Sequence, residues 1–163
     1  MTYKKKYRII FLILSLIWMV VIFTFSSRDG TTSSGDSLKV GLTTGKIFVP
    51  EFEKKSMAEQ IAFALGIDHP IRKLAHSTEY AVLGILLIGV FYLPDKKFVS
   101  YLLAYIFSVI YAATDEYHQL FVPGRSGEVK DVIIDGFGAI CGILFVAIII
   151  HIINRRRMKS RNK

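Results

Sequence analysis

Three short stretches of the sequence concentrate the ionisable and polar side chains that could bind or transform a ligand. The first sets His76, Glu79 and Tyr80 at spacings of three and four residues, which places them on one face of a helix. The second runs through residues 114–125 and the third through residues 128–142. Together they supply ten candidate site residues: Lys73, His76, Glu79, Tyr80, Asp115, Glu116, Gln119, Arg125, Asp131 and Asp135.

Binding of an anionic group is one chemistry that these residue types allow. The Lys73 ammonium and the Arg125 guanidinium can both contact phosphate or carboxylate, and the guanidinium can do so through two parallel hydrogen bonds. Under this interpretation we expect three carboxylates to hold the two cations in place: Glu79, Glu116 and Asp135.

General acid–base catalysis is the alternative chemistry. The catalytic candidates are His76, Glu79, Glu116 and Arg125, with His76 or Glu116 as the general base and Arg125 stabilising developing negative charge. The chain has no Gly-x-Ser-x-Gly motif, so the sequence names no nucleophile. We predict no cofactor and no bound metal. A divalent ion would strengthen the enzymatic alternative if it were held by His76, Glu79, Glu116 and Asp135.

Four long apolar segments must position these groups. They comprise residues 9–25, 74–93, 98–114 and 132–153, of 17, 20, 17 and 22 residues. At about 1.5 Å of rise per residue they span roughly 25–33 Å, close to the ~30 Å hydrocarbon thickness of a bilayer. A chain of 163 residues, 52% of them hydrophobic, could hardly bury four such helices in one water-soluble globule. The sequence therefore predicts an all-α integral membrane protein, a bundle of four transmembrane helices.

Basic residues at both ends of the chain indicate the orientation of this bundle. Lys and Arg cluster in residues 4–8 and 155–163, and Lys96 and Lys97 occupy the short link between the second and third segments. Because positive charge is enriched on the cytoplasmic side, we predict that both termini are cytoplasmic. The first segment lacks an Ala-x-Ala cleavage site and is expected to be retained. The predicted parts are a basic N-terminus (1–8), a membrane domain (9–153) and a basic tail (154–163).

This topology also accounts for the charge of the chain and places two loops outside. The formal net charge of +8 then reflects topology signals and lipid anchoring, so we predict no nucleic-acid partner. The outer loops are residues 26–73 and 115–131. Residues 26–35 have a flexible polar composition. Residues 51–65, introduced by Pro50, are predicted to form an outer amphipathic helix with a stripe of Met57, Ile61, Ala64 and Leu65.

One face of the fourth segment changes from acidic to small along its length. Its residues follow one another at increments of three and four, so they form a continuous helical stripe. The two glycines allow a neighbouring helix to approach closely, which would press the acids above them into the bundle interior. The stripe consists of Glu128, Asp131, Asp135, Gly138 and Gly142.

The three polar stretches are expected to meet at the outer end of the bundle. In the predicted topology the second segment starts outside, the third ends outside and the fourth starts outside. Pro123 and Gly124 indicate a tight reversal that holds Arg125 over the helix ends. Intramembrane ionisable groups favour a functional site, and the structural alternative is a buried ion-pair network that only ties the helices together.

Several ordered motifs resemble those of the VanZ family of bacterial membrane proteins. The resemblance covers residues 9–150, and in it Asp135 stands where many relatives have Asn. The motifs are Phe25-Ser26-Ser27, Arg72-Lys73-Leu74-Ala75-His76-Ser77-Thr78-Glu79-Tyr80, Asp115-Glu116-x-x-Gln119, Pro123-Gly124-Arg125 and Asp131-x-x-x-Asp135-x-x-Gly138-x-x-x-Gly142.

The resemblance implies a multi-pass protein of the bacterial cell membrane and cell envelope. The member for which the family is named is associated with low-level resistance to teicoplanin, a lipid-tailed glycopeptide antibiotic. We therefore hypothesise an extracytoplasmic site that binds membrane lipid, a lipid-linked cell-wall precursor or a glycopeptide. The alternative is an intramembrane hydrolase or transferase acting on a lipid-linked substrate. A transporter is disfavoured, because a conduction path needs polar groups through the midplane of the membrane.

Overall fold

The described part of the chain is helical from end to end. A computed structural model describes residues 2–161, and within this range it contains six α-helices, one 3₁₀ turn and no strand. The side chains of Lys4, Lys159, Arg161 and Lys163, which belong to the predicted basic ends, lie outside the described set. In chain order the helices are α1 (Thr2–Ser26), α2 (Gly30–Phe48), α3 (Met57–Gly66), α4 (Asp68–Phe91), α5 (Lys97–Gln119) and α6 (Val129–Arg161).

Four of these helices, α1, α4, α5 and α6, are long and apolar enough to cross a membrane. The predicted all-α bundle of four transmembrane helices is therefore confirmed. Large apolar side chains on the outward faces of the helices are exposed, as lipid contact requires; Leu16 and Ile17 of α1, for example, are 53% and 56% exposed. The membrane spans in the structure are Lys5–Ser26, Asp68–Phe91, Lys97–Gln119 and Val129–Met158.

Polar turns extend three of the helices beyond the apolar segments. α4 begins at Asp68, α5 continues to Gln119 and α6 begins at Val129. These turns form because their polar groups find partners in neighbouring elements. The Asp68 carboxylate accepts a hydrogen bond from the Ser37 hydroxyl, and the Glu116 carboxylate accepts one from the Glu128 amide at 3.0 Å. The second bond satisfies a backbone donor at the start of α6.

The prediction of a flexible polar loop in residues 26–35 is wrong, because α2 begins at Gly30. The Asp29 side chain caps α2 by accepting the Thr32 amide at 2.7 Å, and this bond lowers the pKa of that carboxyl. Two glycines of α2 allow close packing, the first of them Gly30, where a Cβ would overlap the Gly124 carbonyl oxygen. A Cβ at Gly41 would meet Ala64 of α3. Tertiary packing here overrides the low helix propensity of Gly, Ser and Thr.

The predicted amphipathic helix is present between the first two transmembrane helices, but it starts later than residue 51. A 3₁₀ turn occupies Phe52–Lys54, and α3 begins at Met57. Ser56 and Glu59 form a reciprocal capping box that fixes this start. Of the predicted apolar stripe, Ala64 is buried whereas Met57 is 69% exposed. The stripe therefore packs on α2 only in part.

Small residues join α6 to α4 along the lower part of the predicted stripe. A Cβ at Gly138 would overlap the carbonyl oxygen of Ser77, and one at Gly142 would overlap that of Ala81. The prediction that these glycines allow close helix approach is confirmed. This packing holds the acidic residues of α6 against the first turns of α4.

α1 contacts the bundle along its length, from the Arg8 guanidinium, which donates to the Tyr92 carbonyl at 2.7 Å, to its second half. The Trp18 indole donates to the Glu79 carbonyl at 2.9 Å, and the Tyr111 hydroxyl donates to the Met19 carbonyl at 2.6 Å. Ile22 and Leu83 are fully buried in the apolar core. These contacts bring the end of α1 beside the first half of α4 and the last turns of α5.

Candidate functional site

The candidate residues lie at one end of the bundle. Here α1 ends at Ser26, α4 begins at Asp68, α5 ends at Gln119 and α6 begins at Val129. We call this region the polar end. α2 runs beside it and contacts α4, so the segment between the first two transmembrane helices forms part of its wall.

The acidic groups of α5 are buried at the polar end and joined to neighbouring elements. Asp115, 2% exposed, accepts the Ser26 hydroxyl at 2.7 Å and the Gln119 amide at 3.2 Å. Glu116, 6% exposed, accepts the Gln119 amide at 3.0 Å and the Glu128 backbone amide at 3.0 Å. Both oxygens of Glu116 are therefore engaged, which gives this residue an anchoring role at the start of α6.

The candidate residues of α4 have two different arrangements. Lys73 forms an ion pair with Asp131 of α6, with 2.5 Å between Nζ and Oδ1. The Nδ1 atom of His76 lies 3.6 Å from Glu79 Oε2, longer than a hydrogen bond. Tyr80 is fully buried, and no described group pairs with its hydroxyl. Lys73 is neutralised, whereas His76 and Glu79 remain available.

Arg125 follows the reversal predicted at Pro123 and Gly124, in which Gly124 has a φ of 71°. Its guanidinium donates to the Arg28 carbonyl at 3.1 Å, to the Phe25 carbonyl at 3.4 Å and to the Ser33 hydroxyl at 3.1 Å. It thus joins the end of α1 to the start of α2. No carboxylate among the described residues pairs with it.

The expectation that Glu79, Glu116 and Asp135 hold Lys73 and Arg125 in place is therefore wrong. Asp131 pairs with Lys73, and carbonyl and hydroxyl oxygens hold Arg125. The reason is geometric: the carbonyls of Phe25 and Arg28, where the chain leaves α1, face the Arg125 turn and accept hydrogen bonds from its guanidinium.

Arg72 is a functional candidate that the sequence interpretation did not include. It pairs with Asp68 one helical turn earlier, with 3.0 Å between Nη2 and Oδ2. Its positive charge lies close enough to Arg125 that, after burial, it is the next cause lowering the pKa of the Arg125 guanidinium. The available signal was the Asp68-to-Arg72 spacing, which becomes an i, i+4 pair only because α4 begins at Asp68.

Two cavities open at the polar end. The polar cavity, of about 110 Å³, is lined mainly by charged and polar side chains: His69, Arg72, Lys73, His76, Glu116, Gln119, Arg125, Ser126, Glu128, Asp131 and Asp135, with Gly124 and Ile134. The amphipathic cavity, of about 310 Å³, lies between the end of α1, α2 and α4, and is lined by Phe25, Arg28, Ser33, Asp36, Ser37, Val40, Ile71, Arg72, Ala75, His76, Glu79 and Arg125.

Three side chains line both cavities: Arg72, His76 and Arg125. Glu79 lines only the amphipathic cavity, and Tyr80 and Asp115 line neither. The other candidates border the polar cavity. The structure thus brings most of the ten predicted residues to one cavity. It adds a second cavity, whose α2 wall the polar composition of residues 26–35 does not predict.

Several buried polar atoms at the polar end have no hydrogen-bond partner among the described residues. They include His76 Nδ1, Glu79 Oε2, Tyr80 Oη, Asp115 Oδ1 and Asp135 Oδ2. Such atoms are rare in native proteins and indicate that water, an ion or a ligand completes the site. Across the described part of the chain, no three His, Cys, Asp or Glu side chains come together in a group that could hold a metal ion. The four residues that could have held a divalent ion in the enzymatic alternative, His76, Glu79, Glu116 and Asp135, therefore do not form a prearranged metal site.

Comparison with known proteins identifies the family. The family model described as VanZ/LLP1 matches residues 11–151, which is most of the chain. No curated protein and no solved structure gives a match. The matched region contains α4 and α5 completely, most of α1 and α6, and every residue that lines the two cavities. The chain therefore belongs to the VanZ/LLP1 family of membrane proteins.

Proposed function

We propose that this protein binds the anionic headgroup of an amphiphile at its polar end, and that this end faces the outside of a bacterial cell membrane. The observation that carries the proposal is the position of Arg72 and Arg125. Both guanidinium groups line both cavities, so they stand where the polar cavity and the amphipathic cavity meet.

The two arginines have spare capacity to bind an anion. Arg125 bonds only to uncharged oxygens, and its Nη1 atom has no hydrogen-bond partner among the described residues. Arg72 has one carboxylate partner, Asp68, which contacts a single nitrogen. Two neighbouring positive charges repel each other in a poorly hydrated site. A phosphate or carboxylate between them would offset that repulsion and accept hydrogen bonds from both.

The amphipathic cavity explains why the ligand should carry an apolar chain. Its walls combine charged and polar side chains, Arg72 and Arg125 among them, with four apolar side chains: Phe25, Val40, Ile71 and Ala75. A cavity of this mixed character suits a molecule whose charged head and hydrocarbon tail meet at one point. A membrane lipid, a lipid-linked cell-wall precursor and a lipid-tailed glycopeptide all share this chemistry.

An Arg72→Gln variant tests the proposal. We expect it to retain about tenfold less phospholipid than the wild type after purification in a mild detergent, because a charge-assisted hydrogen bond is lost at the headgroup. Lipid bound to the folded protein is counted by native mass spectrometry.

The matched control is Lys39→Gln, which removes an equal charge from the exposed surface of α2 without touching either cavity. Equal lipid retention by the wild type, Arg72→Gln and Lys39→Gln would contradict the proposal.

Low-level teicoplanin resistance is the cellular role that we propose for this site. Expression in a susceptible Gram-positive host should raise the inhibitory concentration of teicoplanin but not that of vancomycin, because only a lipid-tailed ligand uses the amphipathic cavity. The Arg72→Gln variant, expressed at the same level, should lose the increase. An equal increase in the teicoplanin inhibitory concentration from the wild type and from Arg72→Gln would mean that the site does not mediate resistance.

The arrangement of His76 and Glu79 favours one enzymatic alternative, a hydrolase or transferase acting on a lipid-linked substrate. His76 lines both cavities and has an unpartnered ring nitrogen 3.6 Å from the Glu79 carboxylate, an arrangement suited to a general base. Glu116 is less suited, since both of its oxygens accept hydrogen bonds. Incubation of the protein with a polyprenyl-linked precursor distinguishes an enzyme from a binding protein. A product that the wild type forms and the His76→Gln variant does not form would support the enzyme, and unchanged substrate would support a binding protein.

A further inference from the structure

We infer that the polar cavity also contains an ammonium subsite at Asp135, so that the headgroup it selects is zwitterionic and carries a primary amine next to its phosphate. This inference rests on the proposed function, because the phosphate would lie at Arg72 and Arg125 in the same cavity. The amine would bind to the carboxylate that the fold leaves without a counter-charge.

Asp135 is the most completely buried acid of the polar cavity. It is 1% exposed, and no described residue donates a hydrogen bond to its carboxyl group. Its Oδ2 atom is sealed from solvent without a partner. A buried acceptor in this condition indicates that something outside the chain supplies the donor.

The surroundings of Asp135 attract a positive charge. Four other carboxyl groups lie close enough to Asp135 to interact with it electrostatically: Glu79, Asp115, Glu116 and Asp131. Lys73, on the facing helix α4, is already paired with Asp131. The α6 side of the cavity therefore has an excess of negative charge, whereas Arg72 and Arg125 supply positive charge to the same cavity.

An ammonium group fits this arrangement better than a metal ion. The described residues contain no group of three His, Cys, Asp or Glu side chains that could hold a metal. An ammonium ion needs only hydrogen-bond acceptors and one neighbouring carboxylate, which Asp135 provides. Phosphate and amine in one small headgroup would match the two opposite charges that border one cavity of about 110 Å³.

Three lipids with identical acyl chains test the inference. Delipidated protein is titrated with phosphatidylethanolamine, phosphatidylcholine and phosphatidylglycerol, and each complex is counted by native mass spectrometry. The three share the phosphate; only the first has an amine with N–H donors, and the second has a cation without them. We expect the wild type to bind phosphatidylethanolamine about tenfold more tightly than the other two, as a charge-assisted hydrogen bond implies.

The Asp135→Asn variant should lose this preference and bind phosphatidylglycerol at least as tightly as the wild type does, because one negative charge of the cavity is removed; this binding also shows that the variant is folded. Glu128→Gln, which neutralises another acid of the same cavity, should keep the preference. A preference that survives in Asp135→Asn would overturn the ammonium subsite. Equal binding of the three lipids by the wild type would overturn it too and leave the anion site standing. Binding of none of them would overturn the proposed function itself.

A free cation is the other possible occupant, and the same assay separates it from an amine. Wild-type binding of phosphatidylglycerol is measured with and without magnesium chloride. If added magnesium raised that binding to the level of phosphatidylethanolamine, and Asp135→Asn abolished the increase, the subsite would belong to a metal ion and the inference would be wrong. Binding unchanged by magnesium supports the ammonium subsite.

Discussion

A single methyl group at Gly138 is expected to lower the free energy of unfolding by about 1–3 kcal/mol, the usual range for overpacking a close interface. The Cβ of Gly138→Ala would overlap the carbonyl oxygen and the hydroxyl of Ser77. A backbone oxygen in α4 cannot rotate away, so the two helices must separate. Separation would expose the small-residue interface and displace Asp131 and Asp135 from the polar cavity.

Gly136→Ala is the matched control for Gly138→Ala, because it adds the same methyl group two residues away on the same helix. Its Cβ would lie 3.4 Å from the nearest Val109 atom, an ordinary contact. Helix propensity should then make it neutral or stabilising, by up to ~1 kcal/mol. Thermal unfolding in detergent, followed by the helical circular dichroism signal, measures both. Equal stability of the two variants would show that α4 and α6 do not pack through Gly138.

Arg125→Ala is expected to lower the free energy of unfolding by about 3 kcal/mol and to abolish retention of the headgroup. The guanidinium makes three hydrogen bonds that join the end of α1, the start of α2 and its own turn. A hydrogen bond from a charged donor contributes about 1.5–3 kcal/mol when it is shielded from solvent. The three bonds of Arg125 are partly exposed, so we expect them together to contribute no more than one shielded bond does. Unfolding in detergent and native mass spectrometry of bound lipid measure the two effects.

Two further arginine variants separate the charge of Arg125 from its geometry. Arg125→Lys keeps the charge but cannot reach three separate acceptors, so we expect it to recover little of the lost stability. Arg28→Ala removes a neighbouring arginine that forms a half-exposed ion pair with Asp36 and lies 4.7 Å from the centroid of the Phe25 ring. Because both contacts are near the surface, the variant should lower stability by less than Arg125→Ala does. Full recovery of stability by Arg125→Lys would contradict the stabilising role of the three guanidinium hydrogen bonds.

The parts of the fold that sequence could predict are those set by strong local signals. Long apolar segments predict membrane helices because the bilayer fixes their length. The spacing of Gly138 and Gly142 predicts a close helix contact because only small residues permit one. Pro123 and Gly124 predict a reversal because their backbone conformations are restricted. Each of these features is readable without knowledge of what lies opposite.

The features that sequence could not supply depend on contacts between distant residues. α2 forms because Asp29 caps it and because Ala64 of α3 packs against Gly41. Neither contact can be predicted from a run of Gly, Ser and Thr. The partners of Arg125 are backbone carbonyls at the end of α1, which have no signature in the sequence. Lys73 likewise pairs with Asp131 because of the register between α4 and α6, which the sequence does not show.

The same contacts change the interpretation of Glu116. Its position among the polar residues suggested a catalytic or ligand-binding group. In the structure its carboxylate accepts the Gln119 side chain and the Glu128 backbone amide, both at 3.0 Å. A Glu116 variant would therefore disturb the start of α6 as well as the cavity, and Arg72 is the cleaner residue with which to test ligand binding.

The central claim is that Arg72 and Arg125 recognise the anionic group of an amphiphile, and the most direct measurement varies the ligand rather than the protein. Delipidated wild-type protein in detergent is titrated with phosphatidylglycerol and with diacylglycerol of identical acyl chains, which lacks the phosphate. We predict that phosphatidylglycerol binds at least about tenfold more tightly, as expected for one charge-assisted hydrogen bond or more at the headgroup. Equal affinity for the two lipids would contradict the claim, because the cavity would then recognise only the hydrocarbon chains.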